Sequence, residues 1–99
     1  MQELKLYEDV FDELDHGKRC TIRKGDKNIS LGPIKFVSDA FERTKYCEVW
    51  MVYKCKLKHV MVDDLISDGF ESHSNMIDEM KRFYPDIVSE DYVTVVKFK

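Results

Sequence analysis

The spacing of hydrophobic positions changes period several times along this chain, and each change marks an element. Tyr7, Val10, Phe11 and Leu14 recur at helical spacing, which predicts a short helix over 7–16 with Gly17 placed to end it. Residues 20–23 read as a strand. Cys20 and Ile22 point into a core, while Arg19, Thr21 and Arg23 share the opposite, polar face with Lys18 at its mouth. A turn-rich stretch over 24–28 follows. An extended piece then lies between Ile29 and Val37, in which Gly32-Pro33 forces a bend.

Residues 46–62 carry the clearest alternation. One side is Cys47, Val49, Met51, Tyr53, Cys55 and Leu57; the other is Glu48, Trp50, Val52, Lys54, Lys56 and Lys58. This predicts one long bent strand, or two strands with little between them. From Val62 a helical period returns, first as a brief turn over 63–66 closed at Gly69. A helix capped by Ser72 or Ser74 then runs to about Phe83, with Met76, Ile77, Met80 and Phe83 inward. Tyr84-Pro85 stops it, and 92–98 reads as a last strand. The sum is an α+β fold: a small curled β-barrel of about five or six strands with two or three short flanking helices.

Composition adds bounds rather than detail. Residues 1–99 are expected to form a single domain, with 43% hydrophobic and 35% charged residues typical of a globular chain. The chain contains no apolar run long enough for a membrane helix, and its first residues are charged rather than signal-like. Cytoplasmic location is the expectation. Cys20, Cys47 and Cys55 form neither a paired framework nor a CxxC motif and read as core thiols. His16, His59 and His73 are scattered, so no metal is expected. The glycines form no phosphate loop or dinucleotide fingerprint, so no cofactor is expected.

Net charge is −3, but residues 16–59 hold 11 basic and 4 acidic groups between two acidic flanks. That asymmetry points to an anionic partner. It also concentrates attention on the strand after Gly17. A hydroxyl flanked by an amine and guanidiniums can hold an anion or attack a carbonyl. For attack, Thr21 needs an adjacent base, and lysine serves as one only when burial or nearby positive charge lowers its pKa.

The order of helix, Gly17-Lys18-x-x-Thr21-x-Arg23, curled sheet, Asp68-Gly69-Phe70, helix, Tyr84-Pro85 and last strand resembles the ASCH domain, a PUA-like β-barrel, over essentially the whole chain. The family motif is G-x-K-x-x-E-x-R. Here Lys18, Thr21 and Arg23 keep its spacing, Thr21 replaces the usual glutamate, and His16 occupies the glycine site. Threonine at that position is similar to a small bacterial subgroup of acetylcytidine amidohydrolases. The resemblance implies Lys18 as general base, Thr21 as nucleophile and Arg23 as the cleft arginine. The subgroup's glutamate proton donor matches Asp68 best, with Glu71 as the substitute acid.

Two readings follow, with RNA or a modified nucleoside as the partner and a monomer as the expected state. In one, the protein hydrolyses an amide such as that of acetylcytidine with Lys18, Thr21 and Asp68. In the other it is a non-catalytic RNA- or nucleotide-binding module. Arg19, Arg23, Lys24, Lys54 and Lys56 would then contact phosphates, and Trp50 would stack on a base. A plain solvated face remains the alternative for the lysine ladder.

Overall fold

The computed structural model describes residues 1–40 and 43–99. Five strands form one sheet: β1 (Gln2–Leu6), β2 (Cys20–Lys24), β3 (Gly32–Ser38), β4 (Thr44–Lys56) and β5 (Tyr92–Phe98), in the order β1-β3-β4-β5-β2. β1 runs parallel to β3, and the other neighbours are antiparallel. Among the described residues, three α-helices flank the sheet: α1 (Glu8–Asp12), α2 (Val62–Ser67) and α3 (His73–Met80), with short 3₁₀ turns at Glu13–His16 and Leu57–His59. The sheet curls into a half-barrel whose open edges are β1 and β2.

Two hydrophobic clusters fill its two faces. Leu6, Phe11, Leu14, Ile34, Phe36, Val49, Val96 and Phe98 pack on one face, with α1. Cys20, Ile22, Leu57, Leu65, Met76, Met80, Val93 and Val95 pack on the other, with α2 and α3. β5 therefore contributes to both clusters, Val93 and Val95 to one and Val96 and Phe98 to the other. On β2 the alternation splits in the same way. Cys20 and Ile22 enter the cluster under α2 and α3, which turns Thr21 and Arg23 toward the mouth of the half-barrel.

The structure corrects several local expectations. β1 is absent from the periodicity reading: its five residues alternate Leu4 and Leu6 with charges, and only pairing with β3 makes them a strand. Pro33 is tolerated inside β3 because pairing with β1 begins one residue later, at Gln2 and Ile34, so no β1 carbonyl requires the missing N–H. β4 is one long strand. A bulge between Val49 and Met51 places an extra residue there and leaves Met51 41% exposed, against the inward position its parity predicted. Ser72 caps α3, its hydroxyl accepting from the Asn75 backbone N–H at 3.1 Å. The helix ends at Met80, and Phe83 turns outward.

Candidate active site

The mouth of the half-barrel is a cavity of about 460 Å³ between the open sheet edges, α1 and the segment from α2 through α3. The 3₁₀ turn Glu13–His16 ends at Gly17 (φ +99°), and the chain then enters β2 with Lys18 directed into this cavity. Lys18 and Thr21 are each 4% exposed, and Asp68, which follows α2, is 8% exposed. The Lys18 ammonium contacts the Asp68 carboxylate directly. Gly69 (φ +101°) turns the chain immediately after Asp68, and a Cβ there would lie 3.2 Å from Oε2 of Glu13.

Burial brings the Lys18 ammonium down to about 8, with Arg23 adding to the fall and the acidic groups of Cys20 and Glu13 opposing it. A lysine in this state gives up its proton near neutrality. Arg23 uses its fork twice: Nε donates to Thr21 Oγ1 at 3.3 Å, and a terminal nitrogen donates to the Lys5 carbonyl on β1 at 3.0 Å. It thus spans the open edges of the sheet. Desolvation lowers its pKa, while the Tyr84 side chain, hydrogen-bonded to it, favours the cation.

Of the residues singled out by sequence, Lys18, Thr21, Arg23, Asp68 and Glu71 line this cavity together. Glu71 is exposed, and its backbone N–H donates to the Asn75 side-chain oxygen at 3.0 Å. The remainder lie elsewhere. Arg19 folds back to donate to the Leu14 and Lys18 carbonyls at 3.0 and 2.6 Å, away from the cavity, although strand parity placed it beside Thr21. Arg19 stands just before β2, where strand parity no longer governs direction.

Lys24 faces Asp91 at 4.0 Å, Lys54 pairs with Asp26, and Lys56 and Lys58 share Glu90 at 3.1 and 2.6 Å. The lysine ladder is thereby matched by carboxylates, Asp26 from within the basic stretch and Glu90 from the acidic flank that follows it. Trp50, 44% exposed, lies under Lys97, whose Nζ is 4.7 Å from the ring centroid. Lys97 in turn bonds buried Asp64 at 2.9 Å, and Tyr53 donates to the same carboxylate, fastening α2 to the sheet.

The cavity also contains residues that the sequence reading did not place in the site. Glu13, Tyr84 and Arg82 line it, with Tyr7 and Phe83. Their positions depend on contacts between segments far apart in the chain, and no local pattern marks them.

Two solved structures share this architecture. An ASCH domain from Lactobacillus crispatus JV V101 superposes with a TM-score of 0.66 at 14% identity, over 99% of this chain and 79% of that one. The chain has the ASCH fold. An ASCH protein from Zymomonas mobilis matches it with a TM-score of 0.67 at 11% identity, over 98% of this chain and 65% of that one. Neither the family models nor the curated proteins give a match. Among the described residues of this ASCH fold, no helix is long and apolar enough to cross a membrane. Nor do three or more His, Cys, Asp or Glu side chains cluster as metal ligands.

Proposed function

We propose that the cavity hydrolyses the amide of a small acylated molecule of the acetylcytidine type. The observation that carries this reading is the buried contact between Lys18 and Asp68, an acid–base pair that lines the same cavity as the buried Thr21 hydroxyl. The pair holds one proton between an amine and a carboxylate. Hydrolysis starts from the form in which Lys18 has passed that proton to Asp68, which makes Lys18 the base and Asp68 the acid.

The steps balance. Thr21 Oγ1 bonds to the amide carbon while its proton passes to Lys18, and the Arg23 guanidinium stabilises the resulting oxyanion. The carbon–nitrogen bond then breaks as Asp68 gives its proton to the departing amine, leaving an ester on Thr21. Water attacks that ester, losing a proton to Asp68, and Thr21 leaves with the proton from Lys18. The products are a carboxylic acid and a free amine, and the pair returns to its starting state.

Charge supports a small uncharged substrate over a phosphate chain. Six acidic and four basic side chains line the cavity. Of the basic residues outside it, Lys54, Lys56 and Lys58 are engaged by carboxylates, which weakens the case for an RNA-binding face.

The test is incubation with acetylcytidine while cytidine and acetate are followed, comparing wild type with Lys18→Ala and Thr21→Ala. Release by wild type and loss in both variants is the expected result. No release by wild type would overturn the hydrolase reading. A short-RNA titration at low and high salt tests the alternative, since phosphate contacts would make affinity fall steeply with salt.

A further inference from the structure

Helical spacing assigns Tyr7 and Phe83 to buried faces, yet both rings stand in the cavity wall, 40% and 39% exposed. They come from opposite ends of the chain. Tyr7 is the residue before α1 and Phe83 lies in the turn after α3, and their centroids are 5.0 Å apart with planes tilted by 46°. Arg82 lies against both, its guanidinium carbon 4.8 Å from the Tyr7 centroid and 5.3 Å from that of Phe83. A two-pronged bond to Asp9, at 2.7 and 2.9 Å, fixes that guanidinium. The row continues inward through Tyr84, whose ring centroid is 6.4 Å from Phe83 and whose side chain reaches Arg23.

Aromatic rings held in place but left open on a concave wall present flat apolar surface to whatever enters. Stacking on such rings is sequence- and substituent-tolerant, but it requires a planar partner. A phosphate is a poor fit for this wall, because the charge of Arg82 is already answered by Asp9 and the cavity carries more carboxylates than cations. We propose that Tyr7 and Phe83 form a ring-binding subsite for the uncharged, planar heteroaromatic part of the substrate, with Tyr84 extending the contact toward the reacting group. Arg82 and Asp9 are its positioning residues. This rests on the reading of the cavity as a substrate site and adds which part of the substrate lies where: the ring on the aromatic wall, the acyl group at Thr21.

The test uses cytidine as ring probe, ribose as its ring-free control and cytidine 5′-monophosphate as its charged control, titrated against the intact protein and followed by aromatic side-chain NMR. Cytidine is expected to shift the Tyr7 and Phe83 ring signals, ribose to leave them in place, and the monophosphate to bind more weakly than cytidine. Phe83→Leu keeps apolar volume but removes the flat face, and should weaken cytidine binding by about tenfold or more with the melting temperature nearly unchanged. Tyr7→Leu serves as the second variant if Phe83→Leu does not fold. Absence of cytidine binding, or binding unchanged in the variant, overturns the subsite. Turnover separates the two proposals: hydrolysis with KM unchanged in Phe83→Leu removes the subsite alone, and ring binding without hydrolysis removes the hydrolase alone.

Discussion

Lys18 and Asp68, fifty positions apart in the chain, neutralise each other on the floor of a cavity that leaves them 4% and 8% exposed. Neither charge would be tolerated there alone, since an unpaired ion in a dry site costs several kcal/mol. The contact ties the entry of β2 to the end of α2. It therefore couples the fold's closure to the chemistry proposed for it.

The first consequence is a pH dependence with a definite sign. Burial holds the Lys18 pKa at about 8, below the ordinary 10.5, so above that range the pair loses the one proton it shares. Because hydrolysis needs that proton on Asp68, kcat/KM should hold level below about 8 and fall above it. Stability runs in the opposite direction. Between about 8 and 10.5 the unfolded chain binds the proton that folded Lys18 has lost, so this residue's contribution grows more favourable with rising pH, by at most ~3 kcal/mol. Cys20, which burial pushes up to about 12, acts oppositely from about 9 upward. Urea midpoints at pH 7.5 and 10 isolate the lysine when wild type is compared with the double variant Lys18→Met plus Asp68→Asn, which retains Cys20. A wild-type advantage that does not grow with pH would contradict the assignment.

Asp68→Asn tests the acid. Loss of the proton donor should lower kcat by about 10²–10⁴ with a smaller effect on KM. Removing the negative neighbour also disfavours the Lys18 ammonium, so whatever rate remains, needing only the free amine, should rise with pH through a midpoint below that of wild-type Lys18. Steady-state kinetics across pH 6–10 measure both effects. Asp68→Glu, which keeps the carboxylate, should retain more activity than Asp68→Asn; equal loss in the two would argue that Asp68 is structural.

Arg23→Lys separates the two duties of one side chain. The guanidinium serves Thr21 and the Lys5 carbonyl at once, and an ammonium on a flexible stem lacks the rigid fork that does so. Loss of the bond to β1 should cost about 1–3 kcal/mol, seen as a lower melting temperature in calorimetry. Loss of oxyanion stabilisation should lower kcat by about 10²–10³. A variant with normal stability and normal kcat would show that neither bond matters in solution.

How far the sequence could reveal this is set by the range of each interaction. Thr21 and Arg23 lie on one strand, where a two-residue period gives their shared direction without knowledge of the rest. The family likeness pointed from Lys18 to Asp68 but could not place them in contact, because that depends on how α2 packs. Tyr7 and Phe83 depart from the helical pattern because helical spacing describes a residue only while the helix lasts. α1 begins after Tyr7 and α3 stops before Phe83, so both rings escape the faces assigned to them. Met51 fails for a related reason: one bulge reverses the parity beyond it. The lysine ladder was legible as exposed, but its carboxylate partners Asp26 and Glu90 come from distant segments.

Gly69→Ala probes the junction that delivers Asp68. Two effects act there: the left-handed backbone, which costs an L-residue about 1–2 kcal/mol, and the approach of Glu13 Oε2 to the new methyl group at 3.2 Å. Gly17 supplies the control, because its φ of +99° is nearly the same and nothing lies within 4 Å of a Cβ built on it. Gly17→Ala should therefore show the backbone cost alone, a fall in melting temperature of about 4–8 °C for each kcal/mol in a domain of this size. Gly69→Ala should fall further, and the excess should vanish when Glu13→Ala removes the crowding carboxylate. Equal losses at the two glycines, or an excess that survives Glu13→Ala, would show that Glu13 does not crowd this turn in solution.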